Sequence, residues 1–344
     1  MTQENSYDTI DQNSGRYNPK GVSKLTVVVI ARNEQGHIAD CLGALNLALQ
    51  DIAETRIILI DSSSTDRTVE IASRFPIEIY RYQGPQFSAA AGRRVGFSFV
   101  TSEFVLFLDG DCCIEQGWIE KGLAALESMP SVAVAYGSRR EIFENTSAAA
   151  IEVAPTAEEY GLGGNALYRS DAMRQAGGFN PYIQGGEEGE LLARIKAEGF
   201  HDVRIPDIMF THFTDAKTSV NGYFNRIRRG LSRGSGTILR ESISQGLFMH
   251  HAKRFNRYLL SLGYIFAGIL SFIAALIFKR PIFFIGWGMI GLVAFATLWW
   301  RRKIFRSALF IVADWLVVAI HIPGDFIRSP RIRDDFEPIV ERLK

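Results

Sequence analysis

Three apolar runs that stop abruptly in polar residues organise the first third of the chain. Lys24 to Ile30 (KLTVVVI) runs into Ala31-Arg32-Asn33-Glu34, Arg56 to Ile60 (RIILI) into Asp61-Ser62-Ser63-Ser64-Thr65-Asp66-Arg67-Thr68, and Phe104 to Leu108 (FVLFL) into Asp109-Gly110-Asp111. A shorter run, Ile77 to Tyr82, lies between the second and third. Unbroken runs rich in β-branched and aromatic residues predict strands buried on both faces. Helical segments are predicted between them, from about His37 to Leu49, from a capped start near Thr68 through Phe75, and in the Gly- and Ala-rich stretch carrying Arg93 and Arg94. Strands alternating with helices predict an α/β fold, a mainly parallel sheet flanked by helices with right-handed crossovers. Such sheets bind ligands beyond the C-terminal ends of their strands, where the polar residues of all three runs fall.

After Asp111 the pattern loosens. Trp118 to Met129 has helical spacing, Val132 to Tyr136 reads as a strand, Gly161 to Arg169 (GLGGNALYR) is glycine-rich and then apolar, and Gly185-Gly186-Glu187-Glu188-Gly189-Glu190 opens a helix that stops at Gly199. From Ser219 to Arg257 arginines and lysines interleave with Phe, Leu and Ile, a basic amphipathic pattern suited to an anionic membrane surface or to a merely solvated helix face. Tyr258 to Phe278 and Ile282 to Trp300 are apolar for 21 and 19 residues, close to the roughly 20 a spanning helix needs. Ser307 to Ile322 is shorter and contains Asp314, so it reads either as a third span or as a helix lying in the interface. The expected organisation is a disordered tail (1–22), a soluble domain (23–218), a basic interfacial segment (219–257), a membrane region (258–322) and a C-terminal tail (323–344).

Composition adds location. The 344 residues carry 38 Lys plus Arg against 37 acids, a balance that gives no argument for a nucleic-acid partner. Cys41, Cys112 and Cys113 form neither a disulfide framework nor a paired zinc spacing, which fits a reducing compartment. The N-terminal 21 residues are polar and acidic with no apolar core of a secretory signal. Arg301-Arg302-Lys303 and Arg306 are expected on the cytoplasmic side, which places the soluble domain at the cytoplasmic face of a multi-pass inner-membrane protein.

The candidate chemistry is acidic. Asp109 and Asp111, one residue apart with a glycine between them, suit a hard divalent cation such as Mg²⁺ or Mn²⁺, although such an acid pair is also a common strand-end turn. The acids at Glu187, Glu188 and Glu190 suit a helix N-terminus whatever else they do. No Ser-His-Asp or reactive-Cys arrangement is visible, Ser62 to Ser64 read as turn and cap residues, and Cys112 and Cys113 read as packing residues.

Five stretches, in order and spacing, resemble the family 2 inverting glycosyltransferases of the GT-A fold. TVVVIARNE resembles that family's opening P-x-x-N-E type segment, LIDSSSTDRT its D-D-G-S-x-D-x-T turn, and LFLDGDC its D-x-D. GLGGNALYR resembles its acceptor-side glycine-asparagine segment, here Gly164 and Asn165, and GGEEGELLAR its E-D motif. The match covers about Lys24 to Phe213.

The resemblance implies that Ala31, Arg32 and Glu34 line a nucleotide pocket and that Asp61 contacts the base or ribose. It implies that Asp111 ligates a Mg²⁺ or Mn²⁺ bridging the donor's diphosphate, with Asp109 on the ribose or metal and Arg93 matching the arginine of an R-N-x-G segment. Glu188 stands where the E-D motif places its catalytic Asp, with Glu187 and Glu190 as stand-ins. His212 matches a histidine that reaches the metal or diphosphate, although a lone histidine is as readily structural. The Q-x-x-R-W motif of processive members is not kept in Arg226-Ile227-Arg228-Arg229-Gly230. The expectation is a metal-dependent, non-processive transferase that moves a sugar from a nucleotide-diphospho-sugar to a lipid-linked or glycan acceptor of envelope polysaccharide biosynthesis. Its rivals are a noncatalytic nucleotide-sugar-binding scaffold subunit and a metal-dependent phosphatase. The donor, the acceptor and the oligomeric state are not legible in the sequence.

Overall fold

The computed structural model describes residues 23–84, 87–143, 150–154, 164–214, 223–224, 227–228, 230, 232–328 and 333–344. The expected tail 1–22, Gly161 to Gly163, and Arg226 and Arg229 of the basic segment lie outside the described residues. The three apolar runs form β1 (Leu25–Ala31), β2 (Thr55–Asp61) and β4 (Phe104–Asp109), and the shorter one β3 (Glu78–Gln83). They lie parallel in the order β3-β2-β1-β4. Helices α1 (Ile38–Ala48), α2 (Thr68–Ala72) and α3 (Ala89–Ser98) make the crossovers. All seven residues of β1 are buried, because helices cover both faces of the sheet.

Register explains why the polar residues converge. Ala31 pairs with Asp61 and Ile30 with Asp109, so three strands end level with one another at one edge.

The rest of the sheet is antiparallel where it joins this half. It contains β5 (Cys112–Ile114), β6 (Val132–Phe143), β7 (Ile151–Val153), β8 (Ala166–Arg169) and β9 (His201–Thr214), with α4 (Trp118–Ser128), α5 (Ser170–Gln175) and α6 (Glu187–Ala197) on its faces. The sheet is mixed, with the order β10-β3-β2-β1-β4-β8-β6-β9-β5 and β7 on β6. The β6 strand is longer than the expected Val132 to Tyr136 because it pairs in parallel with β9 as far as Phe143, across register shifts.

The C-terminal part differs most from expectation. Helices α7 (Ser235–Ser244) and α8 (Phe248–Arg254) precede α9 (Asn256–Ile277), α10 (Ile282–Arg302) and α11 (Phe305–Ile327), and the last three are each long and apolar enough to cross a membrane. Within the basic segment, Ile238 and Leu239 of α7 pack on Ile183, Phe255 and Ile322. Other apolar residues of the segment, Phe224, Ile243, Phe248 and Met249, are exposed. The expected third apolar segment, 307–322, is part of the longer α11, which continues through Pro323. Residues 323–344 are not a free tail, since β10 (Ile339–Arg342) adds antiparallel to β3 and closes one edge of the sheet.

Candidate active site

A cleft of about 790 Å³ opens at the edge where β1, β2 and β4 end, within the roughly 300–1,000 Å³ usual for small-molecule sites. Its wall includes Ala31, Arg32 and Glu34 after β1, Asp109 and Asp111 after β4, and Glu187 and Glu188 at the start of α6. The two acid groups, 76 or more residues apart in sequence, therefore share one cavity.

Arg93 joins them. This side chain of α3 is 1% exposed, donates from Nη2 to Asp109 Oδ1 at 2.7 Å and from Nη1 to Glu187 Oε1 at 2.7 Å, and lies 3.8 Å from Glu188. Its Nε has no hydrogen-bond partner among the described residues. Burial opposes the charge of Arg93, but Asp109, Glu187 and Glu188 outweigh it and hold the guanidinium protonated. Gly164 makes this packing possible. It has φ +80°, and a Cβ there would fall 1.9 Å from Arg93 Nη2 and 2.5 Å from Asp109 Oδ2. The adjacent Asn165 is fully buried and accepts from the backbone N–H of Asp109 at 2.7 Å, fixing the end of β4.

The α6 acids differ in environment. Gly186, at φ 82°, turns the chain into the helix so that Glu187 and Glu188 begin the first turn. Burial, followed by the neighbouring charge of Glu187, raises Glu188 to about 7, against a partly compensating Arg93. A carboxyl poised there exchanges a proton near neutrality, as a general base must.

On the other side of Asp109, β5 pairs with β9 and sets Cys112 opposite His212. His212 Nε2 then lies 3.4 Å from Asp111 Oδ2. Burial works against a protonated His212, but the hydrogen bond and charge of Asp111 outweigh it and raise the imidazole above its ordinary value. Burial likewise works to raise Asp111, and the His212 hydrogen bond and charge outweigh it, so this carboxyl falls below its usual range. Burial raises Asp109 despite the charge of Arg93. Asp111, Cys112 and His212 each bring one donor atom within 4.8 Å of the others. A carboxylate and an imidazole that leave the remaining positions to water or phosphate suit a Mg²⁺- or Mn²⁺-like ion. The Cys112 thiol does not suit it. Burial pushes Cys112 well above the ordinary thiol value, so it stays neutral, 3.4 Å from Asp111 Oδ1 as a donor.

The remaining expected residues divide. The loops after β1 and β2 are laced together by Asn33 N–H to Ser64 Oγ (2.9 Å), Thr65 N–H to Asn33 Oδ1 (2.8 Å) and Glu34 N–H to Thr68 Oγ1 (2.8 Å). Ser62 reaches the cleft wall, whereas Asp61 does not. Asp61 is fully buried and accepts from Arg81 Nε and from the N–H of Ser64, each at 3.2 Å. Sequence reasoning missed Phe87, Gln184 and Arg228, which also line the cleft. Arg32 sits 4.4 Å from the Phe87 ring centroid, making a cationic and aromatic shelf. Arg228 is an exposed residue of the basic segment. Its only signal in sequence was that basicity.

Residues 26–175 match the family described as glycosyl transferase family 2. Glycosyltransferase AglE of Haloferax volcanii is 26% identical over 202 residues, covering 55% of this chain and 66% of that protein. A pre-mycofactocin glycosyltransferase of Mycobacterium tuberculosis is 26% identical over 231 residues, covering 60% of this chain and 46% of that protein. The chain thus spans about two thirds or less of these curated relatives. Among solved structures, the mannosyltransferase PcManGT from Pyrobaculum calidifontis, in complex with GDP-Man and Mn²⁺, is 15% identical and superposes with a TM-score of 0.58, covering 90% of this chain and 89% of that one. That similarity is one of fold. The match to glycosyl transferase family 2 thus covers residues 26–175, which supply most of the mixed α/β sheet, and apolar helices long enough to cross a membrane follow.

Proposed function

We propose that the protein transfers a sugar from a nucleotide-diphospho-sugar to an acceptor hydroxyl at a membrane surface, in a single inverting displacement. The observation that carries this reading is the shared cleft, in which Asp109 and Asp111 stand on one wall and a carboxyl poised near neutrality, Glu188, on another. PcManGT was solved with GDP-Man and Mn²⁺, a donor class and an ion that fit these side chains.

Arg32 on Phe87, with Ala31 and Ser62, forms the surface for the nucleoside, and Asp109 receives the ribose. Asp61 acts from behind that surface by fixing the loop after β2 through Ser64. A divalent ion held by Asp111 and His212 would supply Lewis-acid neutralisation of the departing diphosphate. Glu188 takes the proton of the acceptor hydroxyl as its oxygen bonds to the anomeric carbon and the bond to the diphosphate oxygen breaks. Arg93 holds Asp109 and Glu187 in place through one ion pair to each, which leaves the proton-accepting role to Glu188. The absence of the Q-x-x-R-W residues supports a non-processive transfer. Helices α9 and α10 and the basic Arg301 to Arg306 cluster support a lipid-linked acceptor reached from the cytoplasmic face of the inner membrane.

The test is to incubate purified protein and Mn²⁺ with a panel of labelled nucleotide-sugars and membrane lipid extract. Label is expected in the lipid fraction with at least one donor. Binding of a donor with no transfer to any acceptor favours a noncatalytic scaffold, and phosphate release from simple esters favours a phosphatase.

A further inference from the structure

The sheet itself constrains how the chain meets the membrane. Strand β10 follows all three long apolar helices and is hydrogen-bonded to β3, which precedes them, with Ile339 opposite Gln83 and Arg342 opposite Tyr80. Two strands of one sheet lie on the same side of a bilayer. The chain between them therefore crosses an even number of times, and three spanning helices are impossible.

Contacts identify which helix stays. Helices α9 and α10 form an antiparallel hairpin: Phe278 meets Phe283 at its tip, Phe272 meets Phe284, and Tyr264 stacks on Trp287 at 4.7 Å. The hairpin is little buried, with Gly268 the one buried residue on α9 and none buried on α10, and only the start of α9 packs on a core cluster, through Tyr258, Leu259 and Leu262. At the end away from the tip, α9 begins at Asn256, directly after Phe255, which is packed with Ile183 of the catalytic domain. The antiparallel pairing returns the end of α10 to that same side, where Phe295 and Trp299 pack on Phe305 at the start of α11.

Helix α11 packs on both helices of the hairpin and, at two places along its length, on the basic segment that adjoins the soluble domain. Phe310 lies 5.4 Å from the Tyr223 ring, and Tyr223 precedes Arg228 of the cleft wall by five residues. Twelve residues further on, Ile322 packs on Ile238 and Leu239, and Asp325 accepts from the N–H of Gly234 at 3.4 Å. The fit is close, since a Cβ at Gly236 would fall 2.3 Å from the Ile322 carbonyl. Ala308, Val318, Ala319, Ile322 and Asp325 are buried on this side, while Phe305, Leu309, Ile320 and Ile327 are 49–81% exposed. A helix of about 12 residues between two contacts on the same segment spans roughly 18 Å along that segment rather than away from it.

We infer that α9 and α10 cross the membrane and that α11 lies in the plane of the bilayer surface on the catalytic side, its exposed apolar face immersed in lipid. The occupant of that face is the bilayer because it is continuous with the lipid-exposed hairpin at Phe295, Trp299 and Phe305. An apolar helix face in the interface sinks about 5–10 Å below the headgroups. Tyr223, which packs on Phe310 of α11, lies five residues before Arg228 of the cleft wall. The inference stands on topology and does not depend on the reaction.

The test uses the full-length protein in sealed, oriented vesicles and a membrane-impermeant maleimide. Cysteines are introduced singly as Arg280→Cys at the hairpin tip, Arg301→Cys before α11 and Arg328→Cys after it. Arg301→Cys and Arg328→Cys are expected to label from the same face, and Arg280→Cys from the opposite one. Labelling of Arg301→Cys and Arg328→Cys from opposite faces overturns the inference, and so does labelling of all three from one face. An independent readout is the depth of nitroxide labels at the exposed positions Leu309 and Ile320. Equal depth is expected, whereas a spanning helix would separate eleven residues by about 16 Å along the membrane normal.

Discussion

Arg93 and Asp109 are joined by a 2.7 Å hydrogen bond inside the protein, and the same guanidinium bonds Glu187 at 2.7 Å. One buried cation thus ties the end of β4 to the start of α6, beside the Asn165 bond that also holds the end of β4. Removing one partner of a buried ion pair leaves uncompensated charge and costs about 3–5 kcal/mol. Arg93→Met is expected to lower the thermal unfolding temperature in detergent and to abolish transfer. Arg93→Lys is expected to fold better yet remain impaired, because one ammonium does not reproduce two forked bonds.

Gly164 is the second test of the same packing. Its positive φ, and the Arg93 Nη2 that an added Cβ would overlap, leave no room for a methyl group. Gly164→Ala is expected to displace Arg93 and reduce transfer by at least about tenfold, equivalent to 1.4 kcal/mol of barrier. Unchanged kinetics would show that the guanidinium does not need its observed place.

The pH dependence follows from Glu188. As a general base it works only when ionised, and its pKa is raised from 4.5 to about 7. The rate at low substrate is expected to rise with pH below about 7 and to level off above it, a profile that kcat/KM against pH would show. The sign for stability is opposite. The folded state holds this proton more tightly than the unfolded chain, so the contribution is complete below 4.5 and is lost as pH rises through about 7. A rate already level at pH 5 contradicts the assignment.

Metal dependence separates Asp111 and His212 from Cys112. Chelation is expected to stop transfer and added Mn²⁺ to restore it. His212→Ala is expected to raise the Mn²⁺ concentration needed by about tenfold or more, the scale seen when metal-site support is lost. Asp111→Asn is expected to cost more, and Cys112→Ser to leave the requirement near its original value because a neutral buried thiol is no ligand for a hard ion.

The parallel half of the fold was legible because β1, β2 and β4 announce themselves as apolar runs that end in polar residues, and the cleft forms where they end. The acids were legible for the same reason, together with their order along the chain. What was not legible depends on contacts between distant segments. The β9 strand contains Pro206 and Asp207 and is held as a strand by β6 through register shifts. The Ile-Val-Glu-Arg of β10 is mostly exposed and has no hydrophobic signal of its own, so only the edge of β3 makes it a strand. Asp61 looked available in a polar turn, but the fold gives it Arg81 from β3 and buries it completely. Arg228 comes from a segment read only for its charge, and α11 was ambiguous because length and hydropathy do not reveal which side a later strand returns to.

The most direct test of the central reading compares wild type with Glu188→Gln in one assay that follows both calorimetric donor binding and labelled product. Wild type is expected to bind a nucleotide-sugar in the presence of Mn²⁺ and to transfer its sugar. Glu188→Gln is expected to bind the same donor and to form product at least about a hundredfold more slowly, within the 10²–10⁴-fold range of general-base catalysis. Equal turnover by the two proteins, or donor binding by wild type with no transfer to any acceptor, would contradict the account.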